Sequence, residues 1–231
     1  MKLVRSSALL VVTLALLGVG APYGRMGPVS AYLMANRQSE ISLARSAAPS
    51  AIALHATVLI LGRHGYETAI KGSNGFTCLV ERSWMSPFDA VGFWNWKIRG
   101  PICYNPPASR TILPYTLRRT KLVLSGLTKS QMLIRVRAAA AAGALPTPEP
   151  GSMSFMMSKH QYLSDSGHAW HPHLMFYAPK ADSANKGANW GANLPGSPVL
   201  LNTSRRIVPE PETIYMIPVA HWSDGSPGPP L

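Results

Sequence analysis

A chain of 231 residues with 46% hydrophobic side chains and six Trp is too apolar for a disordered polypeptide and long enough to bury a substantial core. Twenty-two Lys and Arg against ten Asp and Glu leave a net charge of +12, which favours anionic partners. Two cysteines are too few for a four-thiolate zinc site, no glycine-rich phosphate loop occurs, and no nucleic-acid-binding motif accompanies the basic charge, so nucleic acid is not an expected partner.

The N-terminus reads as a targeting segment. Lys2 and Arg5 precede an apolar run from Ala8 to Leu17, and Gly18-Val19-Gly20-Ala21 offers small residues for cleavage. Pro22 disfavours a cut after Ala21, so residues 1–20 are expected to be a signal peptide, leaving a periplasmic or secreted protein. An uncleaved membrane anchor is the alternative, because Ser6 to Gly24 is uncharged over nineteen residues, close to the ~20 that a span needs. No later segment is long and apolar enough to span.

Val29 to Ala47 has helical periodicity and is expected to end at Pro49. Ala56 to Leu61 is a short β-branched apolar run. Tyr66–Lys71 and Phe76–Glu81 are further strands, and the Gly72-Ser-Asn-Gly75 connector between them predicts a hairpin. Along the second of these strands Phe76, Cys78 and Val80 share one face, and Thr77, Leu79 and Glu81 the other. Residues 84 to 107, rich in aromatics and proline, read as a loop packed over the body. Cys78 and Cys103 are expected to form one disulfide, closing a loop of about 25 residues and stabilising by about 3 kcal/mol; export favours its oxidation, and two buried free thiols are the alternative.

Two helices follow. Thr111 is the expected cap of the first, with Leu113, Leu117 and Leu124 as its stripe and Gly126 as its stop. Thr128-Lys-Ser-Gln131 has capping-box spacing for the second, which buries Met132, Leu133, Val136 and Ala140. The short connector predicts an antiparallel helix hairpin. Residues 90 to 148 hold nine Lys and Arg and no Asp or Glu. Through Arg118, Arg119, Lys121, Arg135 and Arg137 this field suits an anionic cell-envelope component, although bases that merely solvate helix faces look the same in sequence.

Ser152–Ser158, His173–Tyr177, Val199–Asn202 and Thr213–Pro218 complete the strands, and the Pro/Gly-rich residues 221–231 read as a mobile tail. The order predicts one α+β domain over residues 29–220, mainly an antiparallel sheet, with the helix hairpin inserted between strand groups.

Four of the seven histidines fall between His160 and His173. Proline biases the residue before it to extended backbone, and residues two apart in an extended segment point the same way. His171 and His173 of His171-Pro-His173 are therefore expected to share a face, continued by Met175 and Tyr177. His168 lies on the approach turn, and Asp165 or His160 would complete a four-coordinate zinc shell, whereas three nitrogen ligands with one open position would suit hydrolysis. Without metal, the same face would bind a ligand, with Trp190 of a Gly/Asn/Pro-rich loop as a second contact. Histidines with purely structural hydrogen bonds are the plain alternative. The cluster has some likeness to zinc peptidases of the lysostaphin type, which would make His160, Asp165 and His173 ligands and His171 the general base. Those enzymes, however, carry their two motifs on well-separated segments.

Asn74-Gly-Phe-Thr-Cys-Leu-Val-Glu-Arg-Ser-Trp84, Pro101-Ile-Cys-Tyr104, His171-Pro-His-Leu-Met-Phe176 and Trp190-Gly-Ala-Asn-Leu-Pro-Gly-Ser-Pro198 together resemble a family of exported bacterial proteins of unassigned activity. The resemblance covers most of the mature chain. It implies export and supplies no reaction, substrate or cofactor.

Overall fold

The computed structural model describes residues 23–167, 169–180, 190–202 and 206–230. Three short helices, α1 (Val29–Tyr32), α2 (Arg37–Arg45) and α3 (Ser50–Ala53), lead into strands β1 (Thr57–Gly62), β2 (Gly65–Ile70) and β3 (Thr77–Glu81). Strand β4 (Gly100–Tyr104) precedes helices α4 (Pro106–Thr111), α5 (Leu113–Leu124) and α6 (Lys129–Ala141). Strands β5 (Met153–Met156), β6 (His173–Pro179), β7 (Leu200–Leu201) and β8 (Glu212–Pro218) close the chain. The eight strands of the described residues form one sheet in the order β2-β1-β3-β4-β5-β6-β8-β7. Neighbours are antiparallel except β1 and β3, so the α+β class and the mainly antiparallel sheet are both present.

The expected β2–β3 hairpin does not form. The tight turn is Gly62-Arg-His-Gly65, where Gly65 has φ +129°, and it pairs β2 with β1. The Gly72–Gly75 connector instead crosses the start of β1 and delivers β3 parallel to its other side. Ser73 N–H donates to His55 O at 2.8 Å, and Asn74 Nδ2 donates to Ile52 O at 2.8 Å. Glycine at 72 is a packing need: a Cβ there would lie 2.2 Å from the Ala56 and Thr57 backbone.

Strands β1 and β3 pair only at Thr57–Thr77 and Val58–Cys78. Near their far ends a buried ion pair is set between them. Glu40 Oε1 accepts from Leu61 N–H and from Arg82 Nη2, both at 2.9 Å, while Arg82 Nε donates to Tyr32 O at 2.7 Å. The single long N-terminal helix is also a misreading. Asn36 caps α2 by accepting from Ser39 N–H at 2.8 Å, and helix restarts after Pro49 as α3.

The sheet has an apolar layer on each face. On one, Ile41, Ala44 and Ala53 pack with Val58, Cys78, Val80 and Cys103. The disulfide joins Cys78 and Cys103, which sit opposite each other on β3 and β4, and both are fully buried. On the other face Leu79, Ile102 and Tyr104 meet Ile112, Tyr115, Val123, Met132 and Val136 from the helices. Residues 100–104 are thus a central strand, although Pro101 makes them read as loop. Pro101 is tolerated at the second residue of the strand, near its start.

Helix α5 departs most from its apolar pattern. Thr111 ends α4 rather than capping α5, and Leu117 is exposed. The buried face carries Thr116, Arg119 and Thr120 instead, because each meets a partner. Trp84 Nε1 donates to Thr120 at 3.0 Å, and Arg119 makes a bidentate pair with Glu210 at 2.7 Å for both contacts. Arg119 therefore does not belong to the basic surface. In α6 the capping box of Thr128 and Gln131 is present. The segment 221–231 that reads as a mobile tail is tied to the body at two residues: Ser223 N–H donates to Met157 O at 2.8 Å and its hydroxyl to Ser46 O at 2.6 Å, and Asp224 pairs with Lys159. Among the described residues no helix is long and apolar enough to cross a membrane.

Candidate functional site

Period-two alternation aims one set of side chains from five strands at the helix-covered face. These are Glu81 of β3, Tyr104 of β4, Met156 of β5, Met175 and Tyr177 of β6, and Glu212 and Met216 of β8, and together they line a cleft of about 280 Å³. Ile112 and Tyr115 cover it from the helices, and Met85, Pro87 and Ile98 from the aromatic segment. Leu163, Trp170 and His173 also line it. Glycine at 100 preserves room in the floor, since a Cβ there would come 3.3 Å from the Met156 methyl.

The walls are largely apolar, yet two carboxyls enter. Glu81 Oε1 accepts from Tyr104 Oη at 2.6 Å and from Thr116 Oγ1 at 2.8 Å. Burial raises the Glu81 pKa against the opposing pull of these two donors. Glu212 is 7% exposed, and its Oε2 is buried without a hydrogen-bond partner. Burial pushes its carboxyl well above the ordinary range, reinforced by the negative charge of Glu210. The Tyr177 hydroxyl shares a hydrogen bond with Ser154 at 2.8 Å, and burial, together with the nearby Glu212, raises its pKa against the pull of that bond.

His173 opens β6 and is 3% exposed. Its Nδ1 lies 2.8 Å from His171 O. A carbonyl can only accept, so Nδ1 carries the proton and Nε2 is left as an acceptor. Burial lowers this imidazole to about 4, so it is neutral at physiological pH. The cleft is therefore a desolvated site in which burial disfavours the charged forms of Glu212, Tyr177 and His173. Such an arrangement can orient a small, mainly apolar molecule by one or two hydrogen bonds.

The structure separates several residues that sequence groups together. His173, Met175 and Tyr177 share the expected face, but His171 does not line the cleft. Both imidazoles meet the Trp170 ring edge-on, at 5.6 Å for His171 and 4.8 Å for His173. Trp190 lies across the sheet from the cleft, stacked on Tyr215 at 4.7 Å and near Phe176 at 5.8 Å, so it does not join His173 in one binding surface. Asp165 is engaged elsewhere: Tyr162, Tyr23, Asn95 and Lys97 all donate to its carboxylate. His160 is exposed, and His168 lies outside the described residues. Among the described residues no three His, Cys, Asp or Glu side chains converge as a metal shell, so the set of Asp165, His171 and His173 does not assemble.

Glu212 escapes sequence reading. It sits in Pro209-Glu-Pro-Glu212 at a strand entry, where a carboxylate is ordinarily solvated. The available signal is the i, i+2 spacing of Glu210 and Glu212 in a chain with only ten acids. Glu81 reads as a charge leaving a strand end, and nothing local announces that helix α5 will cover it. Compared with family models, curated proteins and solved structures, this chain finds no match.

Proposed function

We propose that this protein is an exported ligand-binding module, periplasmic or secreted, whose ligand enters the cleft between the sheet and its helical cover. The observation that carries the reading is Glu212: a buried carboxyl with an unpartnered oxygen, in an apolar cleft that also holds Glu81, Tyr177 and His173. A buried polar group without a partner costs about 1–3 kcal/mol, which a ligand that hydrogen-bonds to it would recover. The ligand class is a small, mostly apolar molecule bearing a carbonyl or hydroxyl acceptor. The histidine face contributes through His173, with His171 setting its tautomer through the carbonyl.

Export is supported by the basic–apolar–small pattern of residues 1–20 and agrees with the Cys78–Cys103 disulfide. N-terminal sequencing of protein recovered from a bacterial envelope fraction is expected to begin at Ala21. Met1 at the N-terminus of membrane-bound protein would favour the uncleaved anchor. An anionic envelope component is the proposed partner, met by the basic helices and not by the cleft. The alternative of a zinc-dependent hydrolase draws no support from the placement of Asp165, His171 and His173.

The cleft is tested by a thermal-shift screen of small neutral amphiphiles. Molecules that protect the wild type are expected to lose that protection in Glu212→Met and to keep it in Trp190→Ala. Hits that protect Glu212→Met as well as the wild type would overturn the assignment.

A further inference from the structure

Helix α5 ends at Leu124, and the chain turns through Gly126, at φ +78°, into α6. Arg118, Lys121 and Arg135 line an open pocket of about 580 Å³ at this turn, with Ser125 and Gln131 as its other polar side chains. No Asp or Glu lines it. The ion pairs formed by the described residues involve other cations and leave these three out. Arg118 adds a second observation, because its Nε is buried without a hydrogen-bond partner. A guanidinium N–H withdrawn from water without an acceptor is costly, and an anion seated beside it would remove that cost.

The other side of the same turn extends the field. A second hollow of about 470 Å³ shares Gly126 and Leu127 and is lined by Arg25 and Lys129, again without a carboxylate. The start of α6 opens on this hollow, with Thr128 and Ser130 in its wall. Five cations thus flank one connector, and the partial positive charge of the helix N-terminus adds to them. A planar guanidinium beside an ammonium suits the tetrahedral oxygens of a phosphate.

We propose that the pocket formed by Arg118, Lys121 and Arg135 binds a phosphate group, carried by an anionic lipid headgroup or by a free phosphate-bearing molecule. This rests on the envelope-partner reading for its biological setting and is independent of the cleft. Arg118 holds the phosphate through the donor that now lacks an acceptor, while Lys121 and Arg135 neutralise its charge from the rim.

The test uses the folded protein, Arg118→Gln/Arg135→Gln, and Arg63→Gln/Lys71→Gln. The last is a charge-matched control, because Arg63 and Lys71 are exposed and line neither hollow. Inorganic phosphate binding, followed by phosphorus NMR, is expected to weaken about tenfold or more in the pocket variant and to stay unchanged in the control. Co-sedimentation with phosphatidylglycerol–phosphatidylcholine vesicles, against phosphatidylcholine alone, separates the sources. Loss of anionic-vesicle binding only in the pocket variant identifies the headgroup. Phosphate binding without vesicle binding identifies a free molecule. Equal weakening in both variants would overturn the pocket as a site. Vesicle binding that survives in the pocket variant, with no phosphate binding, would overturn this inference and leave the envelope-partner reading standing. Absence of both in the wild type would overturn both.

Discussion

Glu210 and Glu212 stand two residues apart at the entry to β8, and both are buried, at 1% and 7% exposure. Their surroundings differ completely. Glu210 meets the Arg119 guanidinium through two contacts of 2.7 Å, and Arg119 also donates to Trp84 O and Ser86 O and lies over the Phe88 ring. Glu212 has a buried oxygen with no partner and faces the cleft. One carboxylate is fully answered and fastens the segment before β8 to helix α5. The other keeps one oxygen unanswered among the described residues. Burial alone therefore says little about a carboxylate's role; the presence or absence of an internal partner decides whether it locks the fold or awaits a ligand.

The largest test of this contrast removes the lock. Glu210→Ala strands Arg119 as a buried unpaired charge and is expected to destabilise by about 3–5 kcal/mol in urea unfolding. Pairing it with Arg119→Met should restore much of that loss. A cost below 1 kcal/mol for the single variant would mean that Glu210 is not the anchor described.

Acid stability probes the cleft from the opposite side. His173 titrates near 4 when folded and near 6.5 when exposed, so as pH falls below 6.5 the unfolded chain takes up its proton first. Its contribution is complete above pH 6.5 and is lost between 6.5 and 4, about 3 kcal/mol in all. His173→Gln should flatten the stability profile across that window, and an unchanged slope would contradict the buried neutral imidazole.

Glu212→Met is expected to act in the opposite direction from Glu210→Ala. Because the folded pKa of Glu212 is raised above the ordinary 4.5, its contribution to stability is complete below that pH and is lost as pH rises through the folded value. The variant should gain stability over the wild type as pH rises from 4.5 to 8, while losing cleft ligands. A variant less stable than wild type at pH 8 would point to a hidden partner for the carboxyl.

The smallest effect belongs to Trp190. Its exposed ring stacks on Tyr215 at 4.7 Å, so Trp190→Ala should cost about 1 kcal/mol and leave cleft binding untouched. Loss of cleft ligands in this variant would show that the two faces of the sheet communicate.

Much of the local structure is legible without coordinates. The strands around Cys78, Met175 and Tyr215 follow from alternation, α6 from its capping box, and the disulfide from having only two cysteines in a chain that reads as exported. Strand pairing is less legible. Connector composition suggests that a turn occurs and cannot say which strand it reaches, so Gly72–Gly75 reads as a hairpin although it is a crossover. The site is less legible still. Asp165 and the histidines look like a metal set because they are close in sequence, yet Tyr23 and Tyr162 engage Asp165 from 142 and three residues away.

The sequence by itself determined the α+β class, the disulfide partners and the shared face of His173, Met175 and Tyr177. These depend on composition or on spacing within one element, where backbone period sets side-chain direction. Only the tertiary structure decided that Arg119 is a buried lock, that Trp190 lies on the opposite face, and that Glu81 and Glu212 enter one cleft. Each of those outcomes depends on groups brought together from distant positions, and a carboxylate's electrostatic fate is set by what stands beside it in space.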